Sequence, residues 1–389
     1  MSARAALTAA LAATLLLACS DQTPKPGPER SYRLGLYAAE QASLAEIRKA
    51  LPALGPHRLA IMVALPRASF PSAELEGLLR DAAARGVEVR LWPLLPEAQG
   101  YWPNETNLAA FDAYVSSILK WLADNKLTAS AIVYDMEPAI TYSKAIEKTW
   151  TKGLGAAVAL MRTHLDRAAH DKARAALTAS VKRVQAAGLR AQCVTYPQVL
   201  DDAKDGDDDL QDALDIPVRG VPFDEVSFMV YQSSYAKLVG SWIGPDLIRV
   251  YAAEARAAYG DRGTIALGVV GRAGVMSEGS LYLDPKVLRQ DVAAALHARI
   301  ARVEVFSLDG MLHTKKLDAW LAALADVSPR EPESSATVDL VQKGMYALDA
   351  MLDGVGLADG GADAASDAGA PDAGATDAAT PDGPLPRGR

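Results

Sequence analysis

The chain has 389 residues, of which 50% are hydrophobic, enough to bury the core of one large domain or two ordinary ones. Its net charge of −8, without a basic stripe interleaved with aromatic residues, argues against nucleic acid as a partner, because phosphate binding needs clustered Lys and Arg. Its 2 cysteines exclude a Cys-rich metal site.

The N-terminal residues predict an export signal followed by a tether. Arg4 supplies the positive end, residues 5–17 are an apolar run too short to span a bilayer, and residues 16–19, LLAC, resemble a bacterial lipoprotein signal. We expect residues 1–18 to be removed, Cys19 to be lipidated and residues 19–30 to form a polar tether. The expected location is a membrane-anchored lipoprotein, periplasmic or on the cell surface. An ordinary secretory signal is the alternative.

From residue 31 to 327 the chain alternates β-rich runs with helical runs. The predicted strands are Tyr32–Ala38, Arg58–Leu65, Val87–Leu95, Ala129–Glu137, Ala191–Tyr196, Glu225–Tyr231, Thr264–Arg272 and Arg302–Leu308. The predicted helices are Leu44–Leu54, Ser72–Arg85, Leu108–Asn125, Leu154–Ala187, Asp246–Tyr259, Pro285–Arg299 and Lys315–Ala325. The connection between the fifth and sixth strands shows no clear helix.

This alternation predicts an α/β fold, a closed (β/α)₈ TIM barrel, because parallel strands joined by right-handed crossovers give such a barrel in about 300 residues. An open doubly wound sheet is the alternative, but the first turn, residues 38–41, reads AAEQ and is not a Gly-rich phosphate loop. Residues 328–355 are interpreted as a linker with a possible extra helix at Thr337–Leu352. The Ala-, Asp-, Gly- and Pro-rich residues 356–389 predict a disordered tail.

The fourth strand ends in two acids, within AIVYDMEP at residues 131–138. Asp135 and Glu137 share one strand face, with side-chain roots roughly 6–7 Å apart, at the barrel rim where active sites lie. Like charges this close raise one pKa, so one acid stays protonated while the other is ionised, which suits glycoside hydrolysis. The alternative is a structural pair bonded to Arg90, Arg272 or backbone amides.

Other side chains at the strand ends and in the following loops are candidate substrate-binding residues. Flat aromatic faces beside polar groups suit sugar rings. The candidates are Tyr37, Trp92, Tyr101, Trp102, Tyr196, Gln232, Trp242, Arg272, Phe306 and Asp309. They indicate a glycan as the substrate.

The sequence predicts no cofactor and no metal site. The 5 histidines form no HExxH motif. The acidic residues 201–215 lack the spacing and terminal Glu of an EF-hand loop, and we interpret them as a solvated loop. A metal-dependent phosphodiesterase that uses Asp135 and Glu137 as ligands is a further, disfavoured alternative.

Two strands resemble those of the family 18 glycoside hydrolases, the chitinase-like barrels. That family carries DGxDxDxE on its fourth strand, and in SAIVYDMEP Asp135 and Glu137 match the last two acids, with Ser130, Ala131 and Val133 in place of Asp, Gly and Asp. On the sixth strand, residues 229–232, MVYQ, are similar to the family's M-x-Y-D, with Gln in place of Asp. On the eighth strand, Phe stands at position 306, where the family usually has Trp.

The resemblance implies a glycosidase that cleaves a β-linked, N-acetylated glycan. We expect the protein to be a monomer. Glu137 would be the general acid/base, Asp135 would orient the acetamido group that acts as nucleophile, and Tyr231 would steady the intermediate. Substrate assistance fits the seventh strand, which ends in Gly271 and Arg272 and offers no second acid. A lysozyme-like family 25 muramidase and a non-catalytic carbohydrate-binding lipoprotein on the same fold are the alternatives.

Overall fold

The computed structural model describes residues 30–39, 42–204, 206–271 and 282–353, and its strands form a closed parallel barrel in chain order. The strands are β1 Arg33–Ala38, β2 Ala60–Pro66, β3 Glu88–Leu94, β4 Ala131–Met136, β5 Arg190–Thr195, β6 Glu225–Met229, β7 Gly263–Gly268 and β8 Arg302–Phe306. Pairing of β1 with β8 closes the barrel. The predicted (β/α)₈ TIM barrel is confirmed, and every predicted strand overlaps an observed one.

Helices follow every strand. They are α1 Leu44–Leu54, α2 Ala73–Ala84, α3 Leu108–Asp124, α4 Ile140–Trp150, α5 Leu154–Arg162, α6 Arg167–Ala186, α7 Gln198–Asp202, α8 Asp209–Ala213, α9 Gln232–Val239, α10 Pro245–Tyr259, α11 Pro285–His297, α12 Leu308–His313, α13 Leu317–Ala323 and α14 Ala336–Ala350. None of the helices in the described ranges is long and apolar enough to cross a membrane. The predicted signal, most of the tether with Cys19, and the predicted tail lie outside the described residues.

Several helices differ from the prediction. The run predicted as one helix, Leu154–Ala187, is two helices, because Asp166 begins α6 as its N-cap, accepting a hydrogen bond from the backbone N–H of Ala169 at 3.0 Å. The helices α4, α7, α8, α9 and α12 were not predicted. The extra helix proposed after the barrel is confirmed as α14.

The two faces of each strand enter two separate cores. On β4, Ile132 and Tyr134 belong to the apolar layer between the strands and the helices, whereas Val133 belongs to a smaller cluster inside the barrel. Asp135 lies on the same inward face as Val133, as strand alternation predicts. This alternation brings the inward side chains of all eight strands together.

An ion network occupies the inward positions nearer the N-terminal ends of the strands. Arg90 is 5% exposed and donates to Glu225 at 2.5 Å, to Gln192 at 2.6 Å and to Glu88 at 3.0 Å. A cavity of about 890 Å³ adjoins this network at the N-terminal mouth of the barrel. The suggested bond between Arg90 and the acid pair of β4 is therefore wrong, because the guanidinium is engaged in another layer.

The prediction that residues 201–215 form a solvated loop is wrong. The segment holds α7 and α8, and most of its described acids are buried. Three of these buried acids illustrate how they are stabilised. Asp201 accepts a hydrogen bond from the hydroxyl of Tyr251 at 3.1 Å, and Asp202 accepts one from the backbone N–H of Leu210 at 3.0 Å. Asp208 forms an ion pair with Arg174. These partners come from other elements, so local composition did not reveal them.

Candidate active site

The acid pair lies at the carboxyl end of β4, between donors supplied by the two neighbouring strands. Asp135 is 3% exposed and accepts a hydrogen bond from the indole Nε1 of Trp92 on β3 at 3.1 Å. Glu137 is 7% exposed and accepts one from the hydroxyl of Tyr196, just after β5, at 2.6 Å. Pairing of β4 with β3 and β5 places both donors beside the acids.

Burial dominates the electrostatics of this pair. It raises the pKa of Asp135 well above its usual range, and repulsion by Glu137 raises it further. Burial also raises the pKa of Glu137 to about 7, although the hydrogen bond from Tyr196 acts in the opposite direction. Among the described residues, Oδ1 of Asp135 has no hydrogen-bond partner. The two carboxyl groups also share a hydrogen bond, which raises the pKa of Asp135 and lowers that of Glu137. The pair therefore retains a proton near neutral pH.

An aromatic cluster covers the inside of the barrel next to the acids. The rings of Tyr37 and Trp92 are 5.5 Å apart in an edge-to-face arrangement, and the ring of Tyr231 stacks on that of Phe306 at 5.8 Å. The lack of a side chain at Gly268 on β7 leaves room for the ring of Tyr231, because a Cβ atom at this position would lie only 2.8 Å from the ring. Three strands and the segment just after β6 thus contribute rings to one wall.

The hydroxyl of Tyr231 keeps its proton. Burial raises its pKa well above the usual range, and the charges of Asp135 and Glu137 raise it further. A protonated phenol beside two carboxyl groups is a hydrogen-bond donor that can serve a bound molecule.

The loop after β3 carries Tyr101 and Trp102, whose rings meet edge to face at 5.0 Å. Trp102 is 4% exposed and belongs to the interior cluster. Its carbonyl accepts hydrogen bonds from the side-chain amides of Asn104 at 2.9 Å and Asn107 at 2.8 Å. These bonds fold the loop on itself, and the backbone N–H of Ile140 joins the loop to the start of α4 by donating to the carbonyl of Gly100 at 3.1 Å.

Three of the candidate substrate-binding residues contact groups other than the acid pair and the aromatic wall. The amide of Gln232 donates to the carbonyl of Gly244 and contacts Asp291. The ring of Trp242 packs edge-on against Tyr282 at 5.1 Å, beside the outer core. The carboxylate of Asp309 accepts the backbone N–H groups of residues 39 and 42, at 2.7 and 2.6 Å, and so fixes the turn after β1. Arg272 lies outside the described residues.

Glu304 is an interior acid that was not among the residues predicted from the sequence. It accepts hydrogen bonds from Tyr37 at 2.6 Å, Ser227 at 2.8 Å and Gln192 at 2.7 Å. Burial raises its pKa. Its signal in the sequence was its place two residues before Phe306, on the inward face of β8. It positions Tyr37 and connects the aromatic wall to the ion network below.

Comparison with known proteins yields similar folds at low identity. No protein-family model matches the chain, and neither does any curated protein. A D-allulose 3-epimerase from Methylomonas sp. is 13% identical, with a TM-score of 0.41 over 84% of this chain and 99% of that one. For a fungal β-1,4-galactanase the identity is 12% and the TM-score 0.46 over 80% and 99% of the chains. A putative α-L-fucosidase from Bacteroides thetaiotaomicron is 11% identical, with a TM-score of 0.44 over 77% of this chain and 95% of that one. Likenesses at this level assign neither a reaction nor a substrate.

Proposed function

We propose that the chain is a glycoside hydrolase that cleaves a β-linked, N-acetylated glycan. The observation that carries this proposal is the acid pair at the end of β4, which is buried and retains a proton near neutral pH. No described Lys or Arg forms an ion pair with Asp135 or Glu137, and the barrel's interior cation, Arg90, is occupied by other acids. An acid with a pKa of about 7 is suited to protonating a departing oxygen at neutral pH.

The proposed reaction is substrate-assisted. Glu137 gives its proton to the glycosidic oxygen as the bond to the anomeric carbon breaks, and the substrate's acetamido oxygen forms a new bond to that carbon. The unprotonated oxygen of the Asp135 carboxyl group accepts the acetamido N–H, and the hydroxyl of Tyr231 donates to the acetamido oxygen. Water then attacks the anomeric carbon and releases the acetamido group, while the carboxylate of Glu137 takes the water's proton.

A non-catalytic carbohydrate-binding protein is the second candidate. It is favoured by the two strand positions at which the chitinase-like pattern has further acids. Val133 packs in the apolar interior cluster, and Ser130 donates to Glu88 at 2.8 Å, so neither position offers a carboxyl group to the pair. Such a protein would use the aromatic wall to hold a sugar without cleaving it.

The deciding experiment compares wild type with Glu137→Gln on chitin oligomers, peptidoglycan and N-glycan fragments. We expect wild type to hydrolyse one of these classes and the variant to lose about 10²–10⁴-fold in kcat, the usual contribution of a general acid. Glu97→Gln, on an exposed residue of the loop after β3, is the matched control and should retain full activity. Hydrolysis unaffected by Glu137→Gln would remove this residue from its role, and binding without turnover by wild type would favour the second candidate.

We also propose that the protein is a lipoprotein anchored through Cys19, periplasmic or on the cell surface. The support is the LLAC run at residues 16–19 and the polar residues that follow it. Labelling with a fatty acid in a bacterial host should mark wild type, and Cys19→Ser should lose both the label and the membrane association. A labelled Cys19→Ser protein would contradict the proposal.

A further inference from the structure

A second polar cluster lies on the segments that follow β3, β4 and β5. Glu105 lies in the loop before α3, His170 in the first turn of α6, and Asp212 in α8. One donor atom from each of the three side chains lies within 4.8 Å of the other two. Three separate segments of the chain therefore bring one imidazole and two carboxylates to one point.

His170 is the residue in this cluster that most needs a partner. It is 0% exposed, and neither of its ring nitrogens has a hydrogen-bond partner among the described residues. A neutral imidazole has one donor and one acceptor nitrogen, and burying both without partners is unfavourable. The Oε2 atom of Glu105 is likewise buried without a hydrogen bond from any described residue. Both orphaned groups belong to the same cluster.

The separation of these two groups suits two ligands of one metal ion. Nδ1 of His170 and Oε2 of Glu105 are 3.5 Å apart, longer than the about 2.7–2.9 Å of a charge-assisted hydrogen bond. Donors that bind a tetrahedral Zn²⁺ at about 2.0–2.2 Å lie roughly 3.3–3.6 Å from one another. A direct ion pair would bring the two atoms closer than they are.

The backbone holds the donors in place. Asp212 accepts the N–H of Asp166 on Oδ1 at 3.0 Å, and the N–H of Glu105 donates to the carbonyl of Asp215 at 2.8 Å. The adjoining imidazole of His164 bonds to Asp215 at 3.0 Å. The cluster is therefore preorganised by bonds that do not use up its buried acceptor atoms on Glu105 and His170.

We propose that Glu105, His170 and Asp212 form a structural site for a divalent transition-metal ion, with Zn²⁺ as the best match. A neutral imidazole with two carboxylates carries a charge of −2, which a divalent cation neutralises. The imidazole ligand favours Zn²⁺ over Mg²⁺ or Ca²⁺, which prefer oxygen. The ion fastens the loop that carries Tyr101 and Trp102 to α6 and α8.

The test measures metal content and thermal stability. Tag-free protein is stripped with EDTA, dialysed, given one equivalent of Zn²⁺ and passed through a desalting column. We expect about one Zn²⁺ to remain on each chain, and Tm to exceed that of the stripped protein by at least about 4 °C. Asp212→Asn should lose both effects. Asp209→Asn, the same substitution one turn earlier in α8, should keep both.

Three outcomes would overturn the site: no Zn²⁺ retained with an unchanged Tm, equal retention by Asp212→Asn and Asp209→Asn, or stabilisation by Ca²⁺ or Mg²⁺ in place of Zn²⁺. If Asp212→Asn does not fold, X-ray absorption of the Zn²⁺-loaded wild type decides. One imidazole with oxygen ligands is expected, and sulfur or all-oxygen ligation would contradict the proposal. None of these readouts uses glycan hydrolysis, so they are independent of the proposed function.

Discussion

Different neighbours give the two acids of β4 different proton affinities. Tyr196 donates to Glu137, a bond that favours the ionised form and holds its pKa near 7. Asp135 feels burial and the charge of Glu137 together, so its pKa rises further. Hydrogen bonds from Tyr196 and from Asp135 therefore both lower the pKa of the acid that the proposed mechanism uses, with the bond from Tyr196 the larger of the two effects.

Replacing that phenol should move the pH profile of hydrolysis. In Tyr196→Phe the pKa of Glu137 rises, because the bond that favours its ionised form is lost. The alkaline limb of the kcat profile should therefore shift upward by roughly one pH unit or more, since a hydrogen bond to a charged group contributes about 1.5–3 kcal/mol. Tyr134→Phe, on the outward face of β4, is the control and should leave the limb in place. A limb unchanged in Tyr196→Phe would contradict this assignment.

For single residues of the candidate site, the sequence was enough to predict the two acids but only some of the side chains that contact them. Alternation along β4 and the strand-end rule were enough to find Asp135, Glu137 and the ring of Trp92. The sequence did not reveal that Glu304 holds Tyr37, because that contact depends on how β8 registers against β1 when the barrel closes. It also gave no reason to exclude Gln232, whose partners lie on other elements.

Among the elements, strands were predicted better than short helices. Each strand carries a run of β-branched and apolar residues, whereas α7 and α8 have five residues each. Helices this short are stabilised by packing rather than by propensity, so their sequence carries little signal. The helix α4 was missed although Tyr142, Ile146 and Trp150 recur at helical spacing. Only its first turn is fully buried, and Ile146 and Trp150 pack against the core while remaining partly exposed.

Arg90 on β3 connects three strands inside the barrel, because it forms ion pairs with Glu225 on β6 and Glu304 on β8. Replacing Arg90 with Met would leave Glu304 buried without its cation, whereas Glu225 would keep its pairs with Arg190 and Arg302. Because one buried carboxyl group loses its partner, we expect the free energy of unfolding to fall by about 3–5 kcal/mol. Arg80→Met, which removes an exposed pair with Glu76, should cost less than about 1 kcal/mol. Urea denaturation of the two variants measures the difference, and equal losses would show that the network does not stabilise the barrel.

For the whole molecule, buried acids should make stability depend on pH. Burial raises the pKa of Asp291 from 3.8 to about 7, and those of Asp201, Asp202 and Glu137 to about 7 as well. Between about pH 4 and 7 the native state then binds more protons than the unfolded state. The free energy of unfolding should therefore fall as the pH rises through this range.

Asp291→Asn isolates one part of this effect. Without the titrating group, the loss of stability between pH 5 and pH 8 should shrink by roughly 2–3 kcal/mol, given about 1.4 kcal/mol for each unit of pKa difference. Asp339→Asn, on an exposed residue of α14, should lose as much stability as wild type over the same range. Chemical denaturation at both pH values measures this. Identical slopes for wild type and Asp291→Asn would contradict the raised pKa.

The architecture of the whole chain was predictable because its signal is repeated along the sequence. Eight predicted strands separated by helical runs in most connections constrain the fold together, so errors in single helices did not matter. The cluster of Glu105, His170 and Asp212 was not predictable, because its members come from three connections and share no motif spacing. Only the barrel brings those connections together.

The proposed mechanism depends on a protonated Glu137, and NMR titration of the carboxyl groups measures that protonation directly. In protein labelled with ¹³C at Glu side-chain carboxyls only, one resonance should titrate near pH 7, and it should be absent from Glu137→Gln. This measurement needs no substrate. Assignment of Glu137 to a resonance that titrates below about pH 5, as exposed Glu residues do, would contradict the account.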